Sequence, residues 1–265
     1  MNDQIYKKIN DILETGVSAA LCTIISSSGS APRHEGTKML VVSDGSFIGT
    51  VGGGTIEDQV FQEAFNTILT RKPRVLNYSM VDPNRGDPGV CGGTVEIFVE
   101  PILPKAKIII IGGGHVGKAL SRQAKFLGYQ VAISDDRPEF CTPDANPDAD
   151  EFFPCQMSDL INHTKITDST YIILTTRGSN IDVEGLAPLL ETPAAFIGVI
   201  GSKRRWAFTK KGLLEKGVPE EVISKVHSPI GIELNAETPE EIAVSIMAEI
   251  IMLRNGGSGK LMNEN

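Results

Sequence analysis

The sequence predicts an α/β protein in which a doubly wound parallel sheet follows a smaller α+β domain, and three observations predict it. After residue 105, apolar strand-like runs and helix-like segments alternate at short, regular spacing. The turn IGGGHVGKAL, Ile111 to Leu120, joins an apolar run to the opening of a helix. The segment VEPILPKAK, Val99 to Lys107, sets two prolines between a strand-like run and the apolar KIIII, which marks a boundary near residue 104. The expected divisions are an α+β domain over 1–104, the parallel-sheet domain with a C-terminal helix over 105–255, and a flexible Gly-rich tail over 256–265.

The elements follow in order. MNDQIYKKINDILETG reads as a polar amphipathic helix and AALCTII as a buried strand. TKMLVVSDGSFIGTV holds two apolar runs split by Asp44-Gly45, a strong hairpin signal. A helix from about Thr55 to Thr70 carries Ile56, Val60, Phe61, Phe65 and Ile68 at helical spacing, and two further strands close the domain. The second half reads as strand KIIII, helix from Val116, strand QVAIS, a short strand near Glu151 to Phe153 and strand YIILTT. A helix near Val183 to Leu190, strand AAFIGVI and helix Lys203 to Lys216 follow. In the last helix Thr238 caps, Pro239 takes the first position and Glu241 returns a bond to the cap. Its continuation IAVSIMAEIIML is apolar on most faces, so it should bury against the other domain or a second copy of the chain, and a homodimer is expected.

Composition narrows the function. The 265 residues are 41% hydrophobic and carry a net charge of −8, with a pI near 5.1, so most of the surface repels a phosphate backbone and nucleic acid is not an expected partner. The N-terminus does not resemble a signal peptide, and no apolar run approaches the roughly 20 residues that span a bilayer, so a cytoplasmic protein without membrane association is expected. Cys22, Cys91, Cys141 and Cys155 form no C-x-x-C pair, which leaves neither a zinc site nor an iron–sulfur ligand set in view.

Gly112, Gly114 and Gly117 spell G-x-G-x-x-G between a strand and a helix, the context of a Rossmann-like phosphate turn. The first glycine permits the tight turn, the second lets the backbone approach a phosphate, and the third lets the helix lie close to the sheet. His115 sits inside this fingerprint. Asp135 or Asp136, roughly 20 residues on, ends the next strand where an acid can bond a ribose hydroxyl. The loops TRGSNID and GSKRR should face the same crevice, with Arg177, Lys203 and Arg204 adding charge and Gly201 and Ser202 opening a helix N-terminus. In the first half, Gly52, Gly53 and Gly54 precede a helix as a candidate anion nest, and Arg33 lies in the polar stretch SSSGSAPRHEGTKM. Cys91, in the turn GVCGGTVEI, is a candidate thiolate.

Together, GSAPRHEGTKM, GTVGGGTIE, CGGTVEIFVEP, IGGGHVGKAL, DDRPEF, GVIGSKRR and PIGIELNAETPEEIAVSIMAEI resemble the XdhC/CoxI family, the xanthine dehydrogenase accessory proteins, over most of residues 29 to 251. The resemblance implies a chain that binds molybdenum cofactor, supports its sulfuration with a cysteine desulfurase, and delivers it to a molybdenum hydroxylase. The family's loop after the fourth strand often carries a histidine following Arg-Gly. This chain has Ser179-Asn180 there, so no role for that histidine carries over. Under this reading the cofactor-binding residues are the glycine, basic and acidic positions above, and Cys91 would ligate molybdenum or position its sulfur.

The competing reading is an NAD(P)-dependent oxidoreductase. Against it, His115 belongs to the fingerprint, and no other histidine lies near a strand end to serve as proton donor. A hydroxylase proper is disfavoured, because the chain is short and lacks cysteines for iron–sulfur clusters. A cofactor-binding chaperone is therefore favoured over a catalyst.

Overall fold

A computed structural model describes residues 2–31, 33–79 and 92–264. The chain divides into two compact units, Met1–Pro104 and Lys105–Asn265, each with its own sheet and core.

The first unit contains α1 (Asn2–Thr15), β1 (Ala19–Ser28), β2 (Lys38–Val42), β3 (Phe47–Gly49), α2 (Gly54–Thr70), β4 (Arg74–Ser79) and β5 (Thr94–Ile102). Its sheet is antiparallel, in the order β3-β2-β1-β5-β4. The period-2 alternation of β1 explains its two helical covers. Ala20, Cys22 and Ile24 face Ile56, Val60 and Ala64 of α2, while Ala19 and Leu21 face Ile5 and Ile12 of α1. The hairpin expected at Asp44-Gly45 joins β2 to β3: Gly45 takes φ 89°, and the Asp44 carboxylate accepts from Ser46 N and Oγ at 2.9 and 2.6 Å.

The second unit contains β6 (Lys107–Ile111), α3 (His115–Phe126), β7 (Gln130–Ser134), β8 (Glu151–Phe153), β9 (Thr170–Leu174), α4 (Ser179–Gly185) and α5 (Ala187–Leu190). It continues with β10 (Phe196–Val199), α6 (Lys203–Glu215), α7 (Glu220–Ile223) and α8 (Pro239–Asn255). All pairings are parallel, in the order β10-β9-β6-β7-β8, which gives the 3-2-1-4-5 winding of a Rossmann sheet. The central strand is covered on both faces, and its unbroken isoleucine run follows from that. Ile108 and Ile110 pack with Leu120, Ala124, Ile246 and Ile250, and Ile109 and Ile111 pack with Leu160, Leu186, Leu189 and Leu213. Beyond β10, His227 bridges Gly198 in parallel and begins a sixth strand position.

Two expectations need correction. The single helix expected near Val183–Leu190 is two helices with a junction at Leu186, since Pro188 lacks the N–H that an unbroken helix would donate to Glu184. The apolar stripe of α8 finds its cover inside its own unit, on α3. Its capping box forms as expected: Thr238 Oγ1 accepts from Glu241 N, and the Glu241 carboxylate accepts from Thr238 N. Among the described residues, no helix is long and apolar enough to cross a membrane.

Candidate functional site

The glycine turn at the carboxyl end of β6 shows why each glycine stands where it does. Gly112 takes φ 115° and donates to Ser134 O at 2.7 Å, and its carbonyl accepts from Thr175 Oγ1 at 2.7 Å. A β-carbon at Gly117 would lie 1.9 Å from the Gly112 carbonyl oxygen, so α3 approaches the sheet as closely as it does only because that carbon is missing. Gly113 is fixed on both sides: its N–H donates to Asp135 Oδ2 at 2.8 Å, and its carbonyl accepts from Asn146 Nδ2 at 3.1 Å.

Gly114 is different. Its backbone, φ −70° and ψ −165°, suits any residue, and a β-carbon there would meet no atom within 4 Å apart from its chain neighbours. Nothing in the fold calls for glycine at this position. It is also the N-cap of α3 and has no side chain to cap the first-turn N–H groups, which, with the positive end of the helix dipole, suit an anion.

The walls come from the ends of neighbouring strands. After β7, the Asp135 carboxylate is buried and accepts from Arg137 N, Nε and Nη2 at 3.0, 2.9 and 2.9 Å, besides Gly113 N. The Arg137 guanidinium lies 3.9 Å from the centre of the Phe140 ring. Asp136 pairs with Arg177 through two bonds of 2.8 and 2.9 Å, which hold the Asp136 carboxyl below the usual carboxylate range. A recess at the same strand ends is lined by Gly112, Asp136, Arg137, Cys155, Met157 and Thr176. Burial pushes the Cys155 thiol up from its ordinary value.

After β9 and β10, Arg205 ties three elements together. It donates to Thr176 O at 3.1 Å, to Thr176 Oγ1 at 2.6 Å and to Asp182 Oδ2 at 2.7 Å, while Thr176 Oγ1 also donates to the fully buried Asp182. Ser202 caps α6 by accepting from Arg205 N at 3.2 Å, and Gly201, at φ 140°, leaves room for the Arg205 stem. Lys203, Arg204 and His115 are exposed, and none of them ion-pairs with a described residue.

In the first unit the triple glycine departs from expectation. Gly52, Gly53 and Gly54 all take positive φ, but the nest receives the chain's own carboxylate. Glu57 Oε2 accepts from Val51 N and Gly53 N at 3.2 Å and from Thr50 Oγ1, and Gly52 N donates to Thr50 Oγ1. An acid in the first turn of α2 satisfies those donors locally. Gly29 and Gly93 let the loop after β1 lie against the strand-entry turn, since a β-carbon at Gly93 would meet Ser28 O at 2.6 Å. Arg33 is exposed on that loop, and Cys91 lies outside the described residues. Among the described residues, no group of three or more His, Cys, Asp or Glu side chains forms a metal site.

Sequence reasoning missed Arg137, the Asp182–Arg205 pair and a His227–Glu249 pair. His227 Nδ1 lies 2.8 Å from Glu249 Oε1, and Glu249 Oε2 accepts from Gly231 N at 2.5 Å. Burial works against the Glu249 charge, yet these bonds leave its carboxyl below the ordinary value. A glutamate inside IMAEIIML was the available signal. Asp182 and Arg205 meet only through the tertiary fold and gave none.

This turn, with its winding and strand-end walls, defines a Rossmann domain. The family model for the XdhC Rossmann domain matches residues 108–250, and that for the XdhC and CoxI family matches residues 12–79. The chain belongs to the XdhC/CoxI family. It is 34% identical over 260 residues to YqeB of Escherichia coli (strain K12), which covers 97% of this chain but 48% of that protein, so the chain spans about half the length of this relative. It is 25% identical to a probable xanthine dehydrogenase subunit of Bacillus subtilis (strain 168), covering 94% of this chain and 97% of that one. It is 22% identical to the molybdenum cofactor insertion chaperone PaoD of Escherichia coli (strain K12), covering 92% and 86%. None of these relatives supports the NAD(P) alternative, and Asp135 and Asp136, its two candidate ribose acceptors, are both engaged within the chain.

Proposed function

We propose that this protein is an accessory factor that binds molybdenum cofactor, supports its sulfuration with a cysteine desulfurase, and delivers it to a molybdenum hydroxylase of the xanthine dehydrogenase type. The observation that carries the reading is Gly114, a glycine that the fold does not require, placed where a phosphate would meet the uncapped N-terminus of α3. The open space at Gly114 and the positive end of the α3 dipole support a phosphate there. Family membership and the naming of one relative as a molybdenum cofactor insertion chaperone support the choice of ligand.

In this account the first-turn N–H groups of His115, Val116 and Gly117 hold the phosphate, and Gly112 and Gly117 shape the turn. Lys203 and Arg204, exposed and unpaired within the described residues, supply positive charge, Arg177 follows β9 in its pair with Asp136, and Ser202 and Gly201 form the α6 entry. The first unit's own candidates for cofactor binding are Arg33 and Cys91, with Cys91 as the thiolate that would position molybdenum or its exchangeable sulfur. Bound, the cofactor carries the molybdenum centre that the recipient enzyme uses, and this chain's own residues bind, orient and release it. In this account the protein is cytoplasmic and works as a carrier rather than a catalyst, and any homodimer forms through a surface other than the α8 stripe that α3 covers.

Two measurements test the reading. Protein co-produced with the cofactor pathway should retain a pterin, and Cys91→Ala should lower activation of the partner hydroxylase. A Cys91→Ala protein that activates at the wild-type rate removes the sulfur role.

A further inference from the structure

We propose that Arg137 is a specificity-determining residue. It closes the ribose edge of the glycine-turn site, so that the site takes a phosphate monoester and rejects a dinucleotide extending along β7. The inference rests on the reading of the turn as a phosphate cradle.

In an open Rossmann site, the acid that follows the second strand accepts the ribose hydroxyl of the nucleotide. Asp135 is that residue here, directly after β7. A carboxylate offers about four lone-pair positions, and at Asp135 the chain's own donors fill them. Oδ1 accepts from Arg137 N and Nε, and Oδ2 accepts from Gly113 N and Arg137 Nη2, at 2.8 to 3.0 Å. The Asp135 side chain is 2% exposed, whereas the Arg137 side chain laid against it is 32% exposed. Arg137 is held from a second side by the Phe140 ring at 3.9 Å, so its fork is fixed by two partners. Asp136, the other candidate acid, is closed in the same way by both terminal nitrogens of Arg177.

A ribose diol would therefore have to displace a bidentate guanidinium, and among the described residues Arg137 ion-pairs with no other carboxylate to fall back on. Hydrogen bonds to a charged acceptor are strong enough that their loss corresponds to roughly ten- to hundredfold in affinity. Removing the guanidinium leaves Gly113 N and the backbone N–H of residue 137 on Asp135, so the carboxylate stays placed while its outer edge opens.

The test titrates the full chain with ADP-ribose and with NADP by calorimetry. The proteins are wild type, Arg137→Ala, Arg137→Gln and the double variant Arg137→Ala/Gly114→Leu, and thermal melts confirm that each is folded. ADP-ribose should bind Arg137→Ala at least tenfold more tightly than wild type. Arg137→Gln, which keeps the stem over Phe140 and one donor toward Asp135, should fall between them, and the double variant should lose the gain. Equal ADP-ribose affinity in wild type, Arg137→Ala and Arg137→Gln overturns the inference. Tighter NADP binding to wild type than to Arg137→Ala also overturns it, because Arg137 would then be a ligand for the 2′-phosphate. These titrations need no pterin, so loss of cofactor binding would count against the proposed function and leave this result readable on its own.

Discussion

Substituting the two glycines of the turn separately should split stability from binding. In Gly117→Ala the new β-carbon would begin 1.9 Å from Gly112 O and 3.2 Å from Thr175 Oγ1, with backbone as the nearer obstacle. The helix must move off the strand or the turn must open, and overpacking of this kind costs about 1–3 kcal/mol, occasionally more. For a unit of this size that corresponds to a fall in Tm of roughly 2–12 °C. In Gly114→Leu the β-carbon enters space that holds no protein atom within 4 Å other than its chain neighbours, on a backbone that any residue adopts. Its stability cost should stay within about 0.5 kcal/mol, as for other substitutions away from packed features. Its effect should instead be on the ligand, because a leucine side chain fills the approach to the α3 N-terminus. The assay is paired: urea or thermal unfolding by circular dichroism, and cofactor retained per mole of protein. Gly114→Leu that unfolds like Gly117→Ala, or that retains cofactor at the wild-type level, would refute this division of roles.

Other predictions concern the rest of the second unit and the cysteines. Arg205→Met should destabilise by about 3–5 kcal/mol, since it leaves the buried Asp182 without its cation, and adding Asp182→Leu should restore part of that loss in a denaturation series. A double variant no more stable than the single one would contradict the pairing argument. Glu249 has a folded carboxyl below the ordinary value, so its contribution is complete above about pH 4.3 and is lost as pH falls through the lower folded value. Glu249→Gln should accordingly flatten the acid limb of the stability–pH curve, and an unchanged limb would remove Glu249 from it. Cys22, fully buried with its thiol pushed up to about 12, should resist maleimide in the native state, whereas half-buried Cys155 should label first among Cys22, Cys141 and Cys155 by mass spectrometry.

The parallel sheet was legible because each of its signals is local. KIIII is apolar without alternation, as a strand covered on both faces must be, and the glycine spacing sits directly after it. The hairpin at Asp44-Gly45 and the Thr238 capping box were equally local and form as read. The sequence shows which groups are able to bind an anion, but not whether the chain itself satisfies them. Gly52 and Gly53 look like donors for a ligand until Thr50 and Glu57 are seen to accept from them, and Asp135 looks like a ribose acceptor until Arg137, two residues on, lies across it. The break at Leu186 is encoded by Pro188, yet the apolar spacing on either side suits a single helix.

The most direct test of the central claim is to purify the protein from cells making molybdenum cofactor and identify what it carries, using absorbance, native mass and metal content on the same sample. The account predicts a pterin phosphate with molybdenum in the wild type, absent from a Gly114→Leu protein of wild-type stability. Bound nicotinamide dinucleotide in place of pterin, or pterin retained in full by Gly114→Leu, would contradict it.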